Sequence, residues 1–263
     1  MQLTVFNAKR LCRKRKKAQG FTLLEITIAL VILVILTIQI ADLSKISRDY
    51  DLNRTSAAQV GDVKSLLLSF LQTNGYLPCP DTDNNGWENR TGSQCDAAKG
   101  KLPHLMLGIT QNDASFQPYY YQVNARTTSA EIDDPINSAS FFGTSTIPNF
   151  NLSTPPSGIN AGNGNMVICD AAESQNCNIS TGSDHFIEEA AIAVVVAFGN
   201  NSVSTWQQIN SNSIHMDAPA EQENADGDAY FWLAKHNFAD DNLTWINGYE
   251  AKYTLLQSSF QLN

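Results

Sequence analysis

The amino-acid sequence predicts an α+β fold, in which a long N-terminal helix packs on an antiparallel β-sheet with long, disulfide-stapled loops. Helical periodicity extends from residue 21 to residue 73 without a proline. A nearly continuous apolar run at residues 190–198 is typical of a buried strand. Much of the remaining chain is rich in Gly, Pro, Asn and Asp, which are the residues of loops and turns.

The first element along the chain is a basic leader at residues 1–20. Seven lysines and arginines lie between Lys9 and Lys17, and the leader contains no acid. A positive block of this kind resists translocation, so it predicts that the N-terminus stays on the cytoplasmic side of a membrane.

The second element is the apolar run at residues 21–41, which predicts one membrane-spanning helix. About twenty residues suffice for a helix to cross a hydrocarbon core of roughly 30 Å. Neither Pro nor Gly interrupts the run, and the chain has no second run of this kind. No small-x-small cleavage site follows it, as a secretory signal peptide would require.

One acid, Glu25, lies inside this apolar run. An ionised carboxylate in a bilayer costs on the order of 3 kcal/mol on insertion scales, so it needs a partner. If the chain were cut after Gly20, the new amine of Phe21 would lie one helical turn from Glu25. The amine of a neighbouring helix could then approach the same carboxylate, and assembly would neutralise both charges in lipid.

The segment GFTLLE, with a basic leader before it and an apolar run behind it, resembles the class III signal of type IV prepilins and type II secretion pseudopilins. That resemblance implies cleavage between Gly20 and Phe21 by prepilin peptidase and methylation of the Phe21 amine. It also implies that Glu25 acts in subunit docking. The implied partners are other pilin subunits and an inner-membrane assembly platform, and the implied location is the inner membrane and then a pilus or pseudopilus.

Beyond the membrane, apolar residues recur every three or four positions as far as Leu71, which predicts an amphipathic stem. Asn74-Gly75 then provides a helix stop. We therefore expect one helix over residues 21–73 and a globular periplasmic or extracellular head over residues 74–263.

The exported part of the chain is strongly acidic. The full chain has a formal net charge of −9, and removal of the leader leaves ten basic residues against 26 acids, a charge of −16. Such a surface repels phosphate backbones, so nucleic-acid binding is not expected, whereas divalent cations are compatible with it.

Four cysteines remain after removal of the leader, which contains Cys12. An even number in an exported domain predicts two disulfides. Three pairings are open, and proximity along the chain favours Cys79 with Cys95 and Cys169 with Cys177. A zinc site is the competing interpretation, but neither pair has the two-residue spacing of zinc knuckles.

The loop after the helix contains a candidate calcium site, because acidic and amide side chains alternate there before Gly86. The candidate ligands are Asp81, Asp83, Asn85, the carbonyl of Trp87, and Glu88 or Asp96 as the bidentate acid. Position twelve of the loop is Gly92 instead of the usual Glu. A loop of Asx turns without an ion fits the same residues, so both interpretations stay open.

The same region has a second, weaker resemblance. LPCPDTDNNG, a later cysteine, KLPHLMLG and an aromatic strand resemble the head of a group of large minor-pilin-like proteins, over residues 75–124. His104 stands where that pattern has an aromatic residue, so the likeness is incomplete.

Alternating or continuous apolar residues predict the strands of the head, at 116–123, 166–170, 190–198, 230–235 and 243–246. Residues 250–260 fit either a strand or a short helix. Residues 127–165 form a long loop-rich region, which either wraps the sheet or presents a binding surface.

No catalytic constellation is recognisable. The four histidines lack metal-ligand spacing, and neither GxSxG nor a phosphate-binding glycine loop occurs. We predict a non-enzymatic structural subunit, a minor pilin or pseudopilin, that requires no cofactor and has calcium as its one candidate ion. The alternatives are a filament-borne adhesin that uses the loop-rich head and a membrane-anchored periplasmic enzyme.

Overall fold

The computed structural model describes residues 22–133, 138–143, 164–170, 177, 185–214, 219–233 and 240–258. The leader, Gly20 and Phe21 lie outside these residues. The chain divides into two compact units, Met1–Ser47 and Arg48–Asn263.

The predicted long N-terminal helix is confirmed, and it covers Leu23–Asn74 as α1. Within the first unit, every described residue of this helix is exposed. Within the second unit, Val60, Val63, Leu67 and Leu71 are buried, with the three- and four-residue spacing of one helix face. Gly75 follows the helix with a φ of 82°, and its N–H donates to the Leu71 carbonyl at 2.8 Å, as in a helix C-cap.

The second unit contains eight described strands and four further described helices. The strands are β1 (Arg90–Thr91), β2 (Gln94–Cys95), β3 (Lys99–Lys101), β4 (Tyr120–Val123), β5 (Met166–Cys169), β6 (Phe186–Ala197), β7 (Tyr230–Trp232) and β8 (Asn242–Asn247). The helices are α2 (His104–Leu107), α3 (Ser202–Ser211), α4 (Pro219–Asp226) and α5 (Gly248–Leu256). Four 3₁₀ turns cover Ala125–Thr128, Ala130–Asp133, Ser138–Phe142 and Gly199–Asn201.

The main sheet has six strands in the order β3-β4-β6-β5-β7, and β8 also pairs with β6. The α+β class is confirmed, but the sheet is mixed instead of wholly antiparallel, because β5 and β7 run parallel. Between β5 and β7 the chain passes through β6, α3 and α4, which gives it the length that a parallel connection requires. The other five strand pairs, including the small β1–β2 ribbon, are antiparallel.

Apolar side chains cover both faces of this sheet. On one face, Leu67 and Leu71 of α1 and Leu255 of α5 join the same buried cluster as Val195 of β6. On the other face, Trp206 of α3 belongs to a second buried cluster that includes Tyr120 of β4 and Val194 and Val196 of β6. The central strand β6 is therefore buried on both sides, as its continuous apolar run predicted.

The predicted disulfides are both present. Cys79 is bonded to Cys95, with 5.3 Å between their Cα atoms, and Cys169 is bonded to Cys177, with 6.1 Å. The first joins the segment after α1 to β2, and the second joins the end of β5 to a residue further along the chain. The sequence of residues 250–260 fitted either a strand or a short helix, and residues 250–256 are helical as part of α5. The first turn of α5 has a capping box between Asn247 and Glu250.

Candidate functional site

Glu25 lies in the first turn of α1 and forms a reciprocal capping interaction with Thr22. The backbone N–H and the hydroxyl of Thr22 donate to Glu25 Oε2 at 3.0 and 3.1 Å. The backbone N–H of Glu25 donates in return to Thr22 Oγ1 at 3.2 Å. This is a capping box, and it satisfies N–H groups that the helix itself leaves without acceptors.

The capping role of Glu25 is absent from our sequence prediction, although the sequence contains its signal. Thr-x-x-Glu directly before an apolar run is the pattern of a capping box. A carboxylate in the first helical turn also interacts favourably with the helix dipole. The described structure therefore uses one oxygen of Glu25 locally, while no described residue forms a hydrogen bond with Oε1.

The apolar surface around Glu25 is exposed on all sides of the helix. Leu30, Leu36 and Ile40 are each more than half exposed, and no residue of the apolar window is buried within the chain. Among the described residues, α1 is the one helix that is long and apolar enough to cross a membrane. Such a surface suits lipid or neighbouring apolar helices.

In the second unit, polar contacts accompany the buried stripe of α1. The Lys64 ammonium donates to Glu250 Oε1 on α5 at 2.6 Å. The side-chain amide of Asn242 donates to Asn53 Oδ1 at 2.6 Å. Both pairs are partly exposed, so they contribute less to the stability of the docked helix than the buried stripe does.

The Asp81 loop is organised by backbone N–H groups. Asp81 Oδ1 accepts from the N–H groups of Asp83 and Asn84 at 3.2 and 2.8 Å, and Oδ2 accepts from Gly86 at 2.8 Å. Asn85 Oδ1 accepts from the N–H of Trp87 at 2.8 Å. These contacts are successive Asx turns, in which side-chain oxygens bind backbone N–H groups a few residues ahead.

The acids proposed to complete a calcium cage, Glu88 and Asp96, bind other partners. Glu88 Oε2 accepts from the N–H of Cys79 at 2.9 Å and pairs with Arg90 at 2.6 Å. Asp96 accepts from the Thr91 hydroxyl at 2.8 Å. Within the part of the chain that the structure describes, no three His, Cys, Asp or Glu side chains are grouped as metal ligands. The described arrangement fits Asx turns better than a cation cage, and calcium binding stays a prediction.

The loop-rich region at residues 127–165 contributes buried side chains to the core. Ile132, Phe141 and Phe142 are buried in the cluster that also contains the α1 stripe. These residues favour the interpretation that the region wraps the sheet. Residues 134–137 and 144–163 lie outside the described residues, and with them most of the binding surface suggested for this region.

Glu221 and Asp241 are buried acids of the head for which the sequence has no local signal. Glu221 Oε1 accepts from the Thr205 hydroxyl at 2.5 Å, and Glu221 Oε2 accepts from Asn201. Asn224 donates to Asp241 Oδ2 at 2.9 Å. Burial raises the pKa of Glu221 and raises the pKa of Asp241 well above its usual range.

Residues 15–38 match a family model described as the prokaryotic N-terminal methylation motif. No curated protein and no solved structure matches the chain. The matched segment runs from the end of the basic leader, through Gly20, Phe21 and Glu25, into the apolar run. The match supports a type IV prepilin-like class III signal and confirms the resemblance seen in GFTLLE.

The motif, together with the long apolar helix, supports a class of protein, a type IV pilin-like or pseudopilin precursor. Proteins of this class are usually structural, and the motif indicates assembly with other pilin subunits in a membrane context. One long, apolar N-terminal helix fits a membrane-anchored pilin. The match ends at residue 38, so it does not extend to the head.

Proposed function

We propose that this protein is a minor pilin or pseudopilin, a structural subunit of a type IV pilus or type II secretion-like filament. Prepilin peptidase would cleave the chain after Gly20, and the Phe21 amine would be methylated. The mature subunit would then join the filament through Phe21, Glu25 and the apolar part of α1. The observation that carries this proposal is a single carboxylate, Glu25, inside an exposed apolar helix that contains the methylation motif.

The hydrogen bonds of Glu25 within its own chain indicate how it would act in assembly. Its Oε2 is engaged by Thr22, which lowers the cost of holding the carboxylate in lipid while the subunit waits in the membrane. Its other oxygen is available to the amine of a neighbouring subunit. Pairing the two removes an uncompensated charge from the membrane only when subunits meet, so it favours assembly over isolated chains.

The proposal also gives the location of the head and the abundance of the subunit in the filament. The basic leader keeps the N-terminus cytoplasmic, which directs the head to the periplasm and later to the filament surface. An inner-membrane assembly platform would extract the subunit. The large, loop-rich head supports a minor subunit, and the protein would then be rare in purified filaments. Its recovery as the most abundant component would contradict this rank.

The test replaces Glu25 in the full-length chain and measures both insertion and assembly. We expect Glu25→Gln to insert in the membrane normally and to be cleaved to a chain that begins with Phe21. Its recovery in sheared filaments should fall by about tenfold, which corresponds to the loss of one interaction of roughly 1.4 kcal/mol. Asp42→Asn is the matched control, since Asp42 is an exposed acid of the same helix.

Two results would contradict the proposal. The first is normal recovery of Glu25→Gln in filaments together with unchanged function. The second is a mature N-terminus at any residue other than Phe21, as read by N-terminal sequencing. Loss of cleavage in the variant would instead show that Glu25 acts before assembly, in processing.

A further inference from the structure

The strand β8 forms the longest edge of the main sheet. The chain's other edge strands, β3 and β7, have three residues each, whereas β8 has six and pairs only with β6 among the described strands. An edge strand carries a row of backbone N–H and C=O groups that can pair with another strand. Its length makes β8 the edge with the largest capacity for such pairing.

The hydrogen-bond pattern shows which residues of β8 face outward. The N–H of Asn124, next to β4, donates to the Ile192 carbonyl, so even-numbered residues of this part of β6 face β4. Residues 193, 195 and 197 therefore face β8, opposite Ile246, Thr244 and Asn242. Leu243 and Trp245 consequently direct their N–H and C=O groups away from the sheet.

A second contact agrees with this assignment. Asn247 is odd-numbered, like Leu243 and Trp245, so its N–H should also point away from β6. This N–H donates to Glu250 Oε2 at 3.2 Å instead of to β6. Within the described part of the chain, Leu243 and Trp245 have no backbone hydrogen bond outside the sheet ladder. Among the described residues, the outer edge of β8 is thus a short ladder without a partner strand.

The sequence of β8 lacks the usual protection of an exposed edge. NLTWIN contains no lysine, no proline and no other charged residue, although these are the residues that block unwanted pairing. The side chains of Leu243 and Trp245 are only partly buried against the cluster that contains Trp206. An added strand would cover the apolar area that they still expose.

Acids lie at both ends of this edge. Asp240 precedes β8, and at the other end Glu188 accepts from the Asn247 side chain at 2.7 Å. Glu250 is already paired with Lys64, and Asp241 is buried against Asn224, so neither adds to this charge. Antiparallel pairing of β8 with the β8 of a second copy would bring these acidic ends together, which is unfavourable. A strand with basic residues at its ends would be attracted instead.

We propose that the outer edge of β8 binds an extended segment of a different protein by strand addition. The segment would pair its backbone with Leu243 and Trp245, place apolar residues beside their side chains and place basic residues near the acidic ends. This site lies in the head and uses no residue of the N-terminal signal. It is therefore independent of the proposed assembly function.

The experiment measures binding of a fluorescent peptide to the full-length protein in detergent. The peptide alternates valine and threonine and has a lysine at each end. We expect saturable binding, and we expect Leu243→Pro, which removes an outward N–H, to weaken it about tenfold or more, or at least roughly 1.4 kcal/mol. Leu243→Val keeps that N–H and is the matched control, with affinity close to that of the wild type.

Three further measurements keep the test decisive if Leu243→Pro does not fold. On the wild-type protein, a peptide N-methylated at alternate residues should fail to bind, because it cannot complete the ladder. A peptide with glutamate ends should bind more weakly than the lysine form. Hydrogen exchange should show that the lysine peptide protects the amides of Leu243 and Trp245.

Absence of binding, or equal binding of the N-methylated peptide, would overturn the proposal. So would protection confined to another part of the head. Concentration-dependent dimers that disappear in Leu243→Pro would overturn the choice of partner and identify a second copy of this chain as the occupant.

Discussion

The two parts of α1 hold apolar side chains in opposite environments. In the first unit, leucines, isoleucines and valines are exposed around the whole helix, and among the described residues none is covered by its own chain. In the second unit, one apolar stripe of the helix is buried, in the same cluster as side chains of the sheet and of α5. The first part needs lipid or other subunits as its partner, whereas the second finds its partner within the chain.

The largest effect is expected when one leucine from each part of α1 is replaced and the two variants are compared. Leu67 is fully buried, so Leu67→Ala should lower the free energy of unfolding of the head by about 4 kcal/mol, since it leaves a cavity. Leu43 is 67% exposed, and Leu43→Ala should change the same quantity by less than about 0.5 kcal/mol. Urea unfolding in detergent, followed by head tryptophan fluorescence, measures both. Equal losses for the two variants would mean that the two parts of the helix are not distinct in this way.

A smaller effect is expected from the acids that the head buries. Burial, with help from Asp228 and Asp226, raises the pKa of Glu223 from 4.5 to about 8. Burial likewise raises the pKa of Asp228 to about 6, against a hydrogen bond from the Tyr230 N–H. The folded state therefore binds these protons more tightly than the unfolded state does.

The stability of the head should therefore fall as the pH rises. The stabilisation by Glu223 is fully present below pH 4.5 and is lost as the pH rises to about 8. We expect the head to melt at a higher temperature at pH 5.5 than at pH 8, and Glu223→Gln to flatten this profile. Asp42→Asn, in the exposed part of α1, is the control and should leave the profile unchanged. A head that melts higher at pH 8 would contradict the prediction.

The smallest effect is expected from removal of calcium. The carboxylate oxygens of Asp81 already accept three backbone N–H groups, so the loop has its hydrogen bonds without an ion. We expect the melting curves of the full chain with calcium and with a chelator to overlap, whereas Asp81→Ala should lower both equally. A stabilisation of several degrees by calcium would establish the cation site.

Sequence reasoning succeeded where the signal is local and failed where it depends on distant partners. The long helix, the central strand and the Cys79–Cys95 pair each follow from residues close together in the chain. The capping of Glu25 by Thr22 was also readable locally and was missed. By contrast, the burial of Glu221 and Asp241 was not predicted, because no residue next to them in the sequence indicates Thr205 or Asn224 as their partners.

By itself, the sequence determined the class III signal, the apolar helix with its single acid and the acidic character of the chain after residue 20. These properties are encoded by composition and by spacing of three or four residues, which a helix converts directly into structure. Only the tertiary structure decided that β7 runs parallel to β5 and that β8 lies at an edge of the described sheet. Such pairings join residues as distant as Val196 and Leu243, and local sequence does not specify the partner of a strand.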